Sequence, residues 1–446
     1  NTGVKWNAVT VADGSTTLNA SAGNGYFLDT NAGVIEVFLP TSPSRGDTVV
    51  IADYAGHFAL NNVIINTGTN NLDSTTTRQY KLTTNDQTAE FIYVDSAKGW
   101  ITRILQAVGT TPSGVFTSGV YDTDAEYISA TGGTVLTVGD YKTHVFTGDG
   151  CFVVSDAGNA QGSNTVDYLV VAGGGAGSNG QGPDGAGGGG AGGLRLSNKW
   201  ALPSPTTSPL ASPTGITVTA TTFPITVGGG GSAPSPGNDN EDGTAGSNSV
   251  FSTITSAGGG KGLWNTNPGP TAGPGGSGGG NHQRPSNSLG NQPPVSPPQG
   301  NPGAGSGPPF PPPGGGGGGA GFGAIQSDGT AGPPRGGTFN PSQGGDGGDG
   351  TFVDDTFFGP TAPSYGTPGA TGSTRYFAGG GGGGPSPSRG GQSASEGGQG
   401  GGGGNPGSGP NPGTANTGGG GAGNEGYQSA GAGGKGIVVL RYKFQN

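Results

Sequence analysis

Apolar residues occur along this chain in short runs, and no run has helical spacing. Up to residue 106 the runs are 26–28, 34–39, 49–52, 63–65, 91–94 and 100–105. Turn-forming clusters separate them at 21–25, 40–47, 66–71, 85–86 and 96–99. The run 34–39 is β-branched and apolar, and Pro40 ends it, as proline ends a strand. No window shows the three-to-four-residue apolar spacing with caps that a helix requires. The pattern therefore predicts an all-β N-terminal part, residues 1–106, of sandwich or barrel type.

Residues 107–165 read as a connector with strand content. A linker-like stretch, 107–118, precedes apolar runs at 133–138, 141–146 and 151–155, with Gly-Asp turns between them. Beyond it two apolar strands, 166–171 and 437–442, bracket a long segment with little apolar character. That segment, 166–446, is the third predicted region.

Composition changes the picture there. Of the 105 glycines, 86 lie beyond residue 171, as do 33 of the 36 prolines. Such a composition without a three-residue period excludes collagen and, taken alone, suggests disorder. A glycine chain cannot bury a large apolar core, and ordering it costs more backbone entropy than ordering any other residue. One arrangement can still hold it. A polyproline II helix has three residues per turn and no internal hydrogen bonds, so its amides and carbonyls all point outward. Bare glycine helices of this kind can approach closely and bond to one another. The runs at 187–190, 228–231, 258–260, 278–280, 314–319, 379–384, 400–404 and 418–421 suit such rods, with dissimilar inserts between them. The expected fold class is thus an all-β N-terminal part plus a polyglycine II helix bundle, with essentially no α-helix.

The bracketing sequences carry a resemblance. VDYLVVAGGGAG at 166–177, ITVGGGG at 225–231 and the closing GKGIVVLRY resemble the glycine-rich domain of bacteriophage tail-fibre and adhesin proteins. The stretch 141–165 resembles the strand-rich lead-in of such fibres, and its strands are therefore expected to pack with Tyr168–Val171 and Ile437–Leu440 as a base. GYFLDT at 25–30, with Leu39-Pro40, Gly46-Asp47, Tyr93-Val94-Asp95 and Lys98-Gly99-Trp100, resembles a further fibre module. The resemblance implies a polyglycine II sandwich whose tip loops bind a receptor on the bacterial surface, an outer-membrane protein or a surface glycan. It also implies a place in the virion, at the tail fibre, beside other fibre subunits, with a homotrimer among the assemblies open. The chain begins at Asn1 and contains no methionine, which reads as a fragment or processed form of a longer protein.

Charge narrows the partners. Only 10% of residues are charged and the net charge is −10, which argues against nucleic acid. No apolar run approaches the roughly 20 residues of a membrane-spanning helix. Cys151 is alone, so no intrachain disulfide forms, and its apolar neighbours predict a buried, inert thiol.

Several chemical motifs occur by chance in so much glycine. Gly175-x-Gly177-x-x-Gly180 follows a strand, but the Pro183-containing sequence after it cannot open a helix to hold a nucleotide. Gly258-Gly259-Gly260-Lys261 lacks the Ser or Thr that follows a P-loop lysine. Gly275-x-Ser277-x-Gly279 lacks the strand-to-helix turn of a nucleophile elbow. GGDGGDG at 344–350 matches the start of one calcium-binding repeat, leaving a cation near Asp346 and Asp349 open, although such sites need stacked copies. The adjacent Asp354 and Asp355 are not a carboxylate pair across a glycan cleft. No catalysis and no cofactor are therefore expected. The expected recognition residues are aromatics in the inserts: Trp200, Trp264, Phe310, Phe352, Phe357, Phe358, Tyr365, Tyr376, Phe377 and Tyr427. A thin glycine bundle offers little room to bury them, and exposed rings on rigid loops suit recognition. The alternative is a structural extracellular or virion fibre without receptor binding.

Overall fold

The computed structural model describes residues 4–76, 79–106, 125–160, 162–181, 184–200, 202–203, 206–237, 240–264, 273–282, 288–305, 314–321, 344–369, 372–386, 395–406, 409–425 and 428–445. The chain forms two units, Asn1–Asp124 and Ala125–Asn446. Among the described residues the only helical elements are two short 3-10 turns, Asp355–Phe357 and Gly359–Ser364. The expected all-β class without α-helix is observed.

The first unit is two packed sheets, and no barrel closes. Between Thr10–Val11 and Val63–Asn66 its chain crosses from one sheet to the other at each step. Thr16–Asn19, Ile35–Phe38 and Val63–Asn66 are parallel neighbours in one sheet. Asn24–Asp29 and Thr48–Asp53, which alternate with them in sequence, are parallel neighbours in the other. Parallel pairing follows because each strand skips one partner before returning to its own sheet. Leu28, Ile35, Val37, Val49, Ile51, Val63, Ile65 and Phe91 fill the interface and are fully buried.

In the second unit the predicted 107–165 connector does not stand apart. Tyr141–Phe146 pairs with Ile437–Lys443, which pairs in turn with Thr165–Val171. Gly150–Ala157 pairs with Thr222–Thr226. Strands from before residue 165 are thus built into sheets with strands from inside the glycine-rich segment. One sheet neighbour of 141–146 is local, Thr134–Val138, but the other lies nearly 300 positions away, so sequence proximity does not mark this boundary.

Three β layers result. The central sheet runs Thr134–Val138, Tyr141–Phe146, Ile437–Lys443, Thr165–Val171, Leu194–Leu196. One face packs through Val170, Leu440 and Tyr442 onto Phe152 and Phe251 of a second sheet, Ile128–Thr131, Gly150–Ala157, Thr222–Thr226, Ser249–Phe251 and Ile254–Ser256. The other packs through Leu169, Val171, Ile437 and Val439 onto Val353, Phe357, Phe358 and Phe377. These last residues belong to a small sheet, Thr351–Asp354, Thr374–Phe377 and Thr367–Pro368, and to the 3-10 turns.

The strands lead directly into glycine rods. Residues 173–180 continue Thr165–Val171, 257–264 continue Ile254–Ser256, and 378–386 continue Thr374–Phe377. Rods 185–193, 344–350 and 430–436 return to the strands Leu194–Leu196, Thr351–Asp354 and Ile437–Lys443. Donor direction in a rod repeats every three residues. In 173–180, the amides of Gly173, Ala176 and Asn179 donate to the carbonyls of Ser247, Thr244 and Glu241. Those of Gly174 and Gly177 donate to Gly434 and Gly431, and those of Gly175 and Ser178 to Gly190 and Gly187. Carbonyls of the same rod accept from Gly231, from Gly259 and Gly262, and from Gly421 and Asn424. One rod therefore bonds to six neighbours, three through its donors and three through its acceptors. This is the three-fold geometry of polyglycine II. The 185–193 rod is likewise surrounded by six, including 277–282, 314–321 and 378–386.

Glycine is required because the rods touch. A Cβ on Gly173, Gly189 or Gly420 would meet the carbonyl of Gly229, Gly175 or Gly189 well inside van der Waals contact. These approaches place Cα–H groups against carbonyl oxygens, a weak hydrogen bond that recurs along every shared edge. Ala172, Ala176, Ala186, Ala191 and Ala422 occupy the places where a methyl fits, and all five are fully buried.

Candidate functional site

Alternate rods run in opposite directions, so the lattice has a strand end and a far end. Rods 173–180, 227–231, 257–264, 277–282, 378–386 and 418–424 run from the strand end to the far end; 185–193, 243–248, 314–321, 344–350 and 430–436 run back. The far end is closed by buried polar side chains where the glycines stop. Asn179 Oδ1 accepts from the Ala430 amide at 2.7 Å. Ser288 Oγ lies 3.1 Å from Asn281 Oδ1, and Asn405 Nδ2 donates to the Gly423 carbonyl at 3.0 Å. Desolvation raises the carboxyls of Asp184 and Glu425, which stand at the far ends of two rods, above their usual range. Exposed residues there include the uncharged Gln181, Ser235, Pro236, Pro406 and Gln428, together with the acidic Glu241.

The expected aromatics do not form one exposed set. Phe352, Phe357, Phe358, Tyr376 and Phe377 are at most 1% exposed. They lie at the strand end, not the far end. Phe357, Phe358 and Phe377 pack on the central sheet, and Phe358 stacks on the half-buried Tyr365 at 5.1 Å. Trp200 is also at the strand end; its Nε1 donates to the Thr165 carbonyl at 3.0 Å and its ring lies 6.4 Å from that of Tyr141. The expectation of exposed rings fails because a third β layer supplies the core that a glycine bundle lacks. Phe310 and Tyr427 lie outside the described residues. Trp264 alone of the ten is described at the far end, and it is buried as well.

Trp264 belongs to a cluster that the sequence reading missed. Its ring stacks on His282 with centroids 4.0 Å apart and planes 13° apart. Its amide donates to Asp242 Oδ1 at 2.8 Å, and Asp242 Oδ2 receives Lys261 Nζ at 3.0 Å. Burial pushes the His282 imidazole down to about 4. Two charges beside a tryptophan at the ends of rods, in a chain with so few charges, were the available signal.

The other candidate chemistry resolves into structure. Asp346 Oδ1 accepts the Glu396 amide at 2.8 Å and Asp349 Oδ1 accepts the Gln399 amide at 2.9 Å. Their three-residue spacing matches one rod turn, so both carboxylates serve the neighbouring 395–400 segment as extra carbonyls would. Among the described residues no group of three or more His, Cys, Asp or Glu could hold a metal ion. Asp167, fully buried, accepts from Ser197 Oγ, the Lys199 amide and the Trp200 amide at 2.7–2.9 Å. His144 sits between Phe152 and Tyr442, with Nδ1 2.7 Å from the Gly132 carbonyl, and burial lowers its pKa. Burial likewise pushes the Tyr442 phenol up to about 12. Cys151 is exposed, not buried: it lies on the outer face of Gly150–Ala157, opposite the inward Phe152. No helix among the described residues is long and apolar enough to cross a membrane.

A family model described as a glycine-rich domain matches residues 154–443. No curated protein matches the chain.

Proposed function

The chain belongs to that glycine-rich domain family, and from this premise we propose that it is a bacteriophage tail-fibre adhesin that recognises the host surface without catalysis. One observation carries the reading. Inserts of unlike length and sequence leave the lattice at its far end, while the lattice itself is held by backbone bonds that do not depend on them. Such a design lets recognition loops vary at little cost to the frame. The exposed amide side chains of Gln181 and Gln428 at the far end suit hydrogen bonding to an outer-membrane protein or a surface glycan. Fibre subunits, in a homotrimer or another assembly, are the other proposed partners, and the virion is the proposed location. The far-end loops take over the recognition role expected of the aromatics at 352–377.

Fluorescently labelled protein incubated with whole cells of a panel of bacterial isolates tests this. Saturable labelling of a strain, together with block of phage adsorption to it, is the expected result. Lateral or end-to-end self-assembly with no saturable labelling of any strain would favour a purely structural fibre.

A further inference from the structure

Three adjacent rods have their far ends tied together by side chains, at the points where three inserts begin or end in sequence. The first lies between residues 233 and 241, the second follows Trp264, and the third follows His282. Asp242, just after the first, uses both carboxylate oxygens: one receives the Trp264 amide at 2.8 Å, the other Lys261 Nζ at 3.0 Å. The Trp264 ring then lies flat on His282, 4.0 Å away. Main-chain bonds run beside the stack, from the Leu263 amide to the Gly280 carbonyl and from the His282 amide to the Leu263 carbonyl. On the far side of the third insert, Ser288 Oγ bonds Asn281 Oδ1, which closes its two ends.

We infer that Asp242, Lys261, Trp264 and His282 form a clasp that locks together the three rod ends from which these inserts depart in sequence, and that they are positioning residues and not receptor contacts. The reading rests on the adhesin proposal for its purpose, but its geometry stands independently. Trp264 is 7% exposed and His282 fully buried, so neither ring offers a face to a ligand. Glycine rods cannot supply this fixation themselves. Their backbone bonds set the distance between rods but leave the chain free once it passes the last bonded residue. A flat aromatic stack held by a charge-assisted hydrogen bond stops that freedom at the root of each insert.

Two measurements on the full chain test the clasp, using the unaltered protein, Trp264→Ala, Trp264→Phe and Asp242→Asn. Hydrogen exchange is followed, without cells, in peptides covering Thr244, Leu263 and His282, which lie on three different rods. Trp264→Ala should speed exchange about tenfold in all three, while peptides from 173–180 and 185–193 stay unchanged. Trp264→Phe, which keeps a flat ring, should stay within about threefold of the unaltered protein, and Asp242→Asn should fall between. Acceleration confined to the Leu263 peptide overturns the clasp. In the whole-cell assay Trp264→Ala should bind about tenfold more weakly and Trp264→Phe nearly normally; undiminished binding by Trp264→Ala overturns the positioning role. Failure of the unaltered protein to bind any strain sinks the adhesin reading, and the clasp is then decided by exchange alone.

Discussion

Replacing Gly189 by alanine tests the lattice where it is tightest. Gly189 lies on a rod with six neighbours; its amide donates to Gly421 at 2.8 Å and its carbonyl accepts from Gly381 at 2.8 Å. A Cβ there would stand 2.5 Å from the Gly175 carbonyl carbon and closer still to its oxygen, where ordinary contact begins near 3.4 Å. Every atom it meets is backbone, so no rotamer change relieves the clash. The rods must part by about 1 Å, and Gly175 holds two further bonds, to Gly190 at 2.8 Å and from Gly421 at 2.9 Å. Four buried hydrogen bonds are thereby stretched, at about 1 kcal/mol each, for a loss of about 4 kcal/mol. For a unit this large that lowers the melting temperature by roughly 10 °C. Gly229→Ala is the matched control. It lies on an outer rod, nothing stands within 4 Å of its added methyl, and its φ is not left-handed. It should be neutral or stabilise by up to about 1 kcal/mol through the unfolded chain. Calorimetric melts of the two variants decide the matter. If Gly189→Ala melts within about a degree of Gly229→Ala, close backbone packing is not what holds this unit.

Phe358→Ala should cost about 3–5 kcal/mol in urea unfolding, because it empties a core site between two β layers, while cell binding per folded molecule stays unchanged. Asp349→Ala should cost about 1–3 kcal/mol by stranding the Gln399 amide, and Asp349→Asn far less, since its amide oxygen still accepts; calcium should leave both melting temperatures unmoved. Acid should weaken the fold in part through His282. Its folded pKa of about 4 lies below the ordinary 6.5, so between these values the unfolded chain binds a proton that the folded chain does not. Stability is full above pH 6.5, falls by about 3 kcal/mol as the pH drops to 4 and levels off below that. His144, also lowered by burial, acts in the same direction, so the difference between the unaltered protein and His282→Phe isolates the share. Parallel pH slopes for the two proteins would refute it.

Local chemistry made much of this protein readable from the chain alone. Short β-branched runs bounded by Gly, Pro and Asp predicted strands, and runs such as 187–190, 314–319 and 379–384 predicted rods, because both depend on what the backbone can do over a few residues. The pairing of 166–171 with the closing strand was also readable, since each is a mostly apolar run that needs cover on both faces. Which faces become interior was not readable. The cluster 351–378 looks like an aromatic surface insert in sequence, yet Phe357, Phe358 and Phe377 are buried because a third β layer folds over the central sheet. Cys151 looked buried, yet it points outward, since alternation along its strand turns Phe152 inward. The 141–146 strand reads as part of a connector, yet its packing with the two bracketing strands was expected from the lead-in resemblance and is observed. The clasp at Trp264 and His282 joins rods whose adjacency no local pattern records. The division has one physical cause. Rods and strands are selected by the backbone within a single segment, whereas burial is selected by contacts between segments hundreds of residues apart.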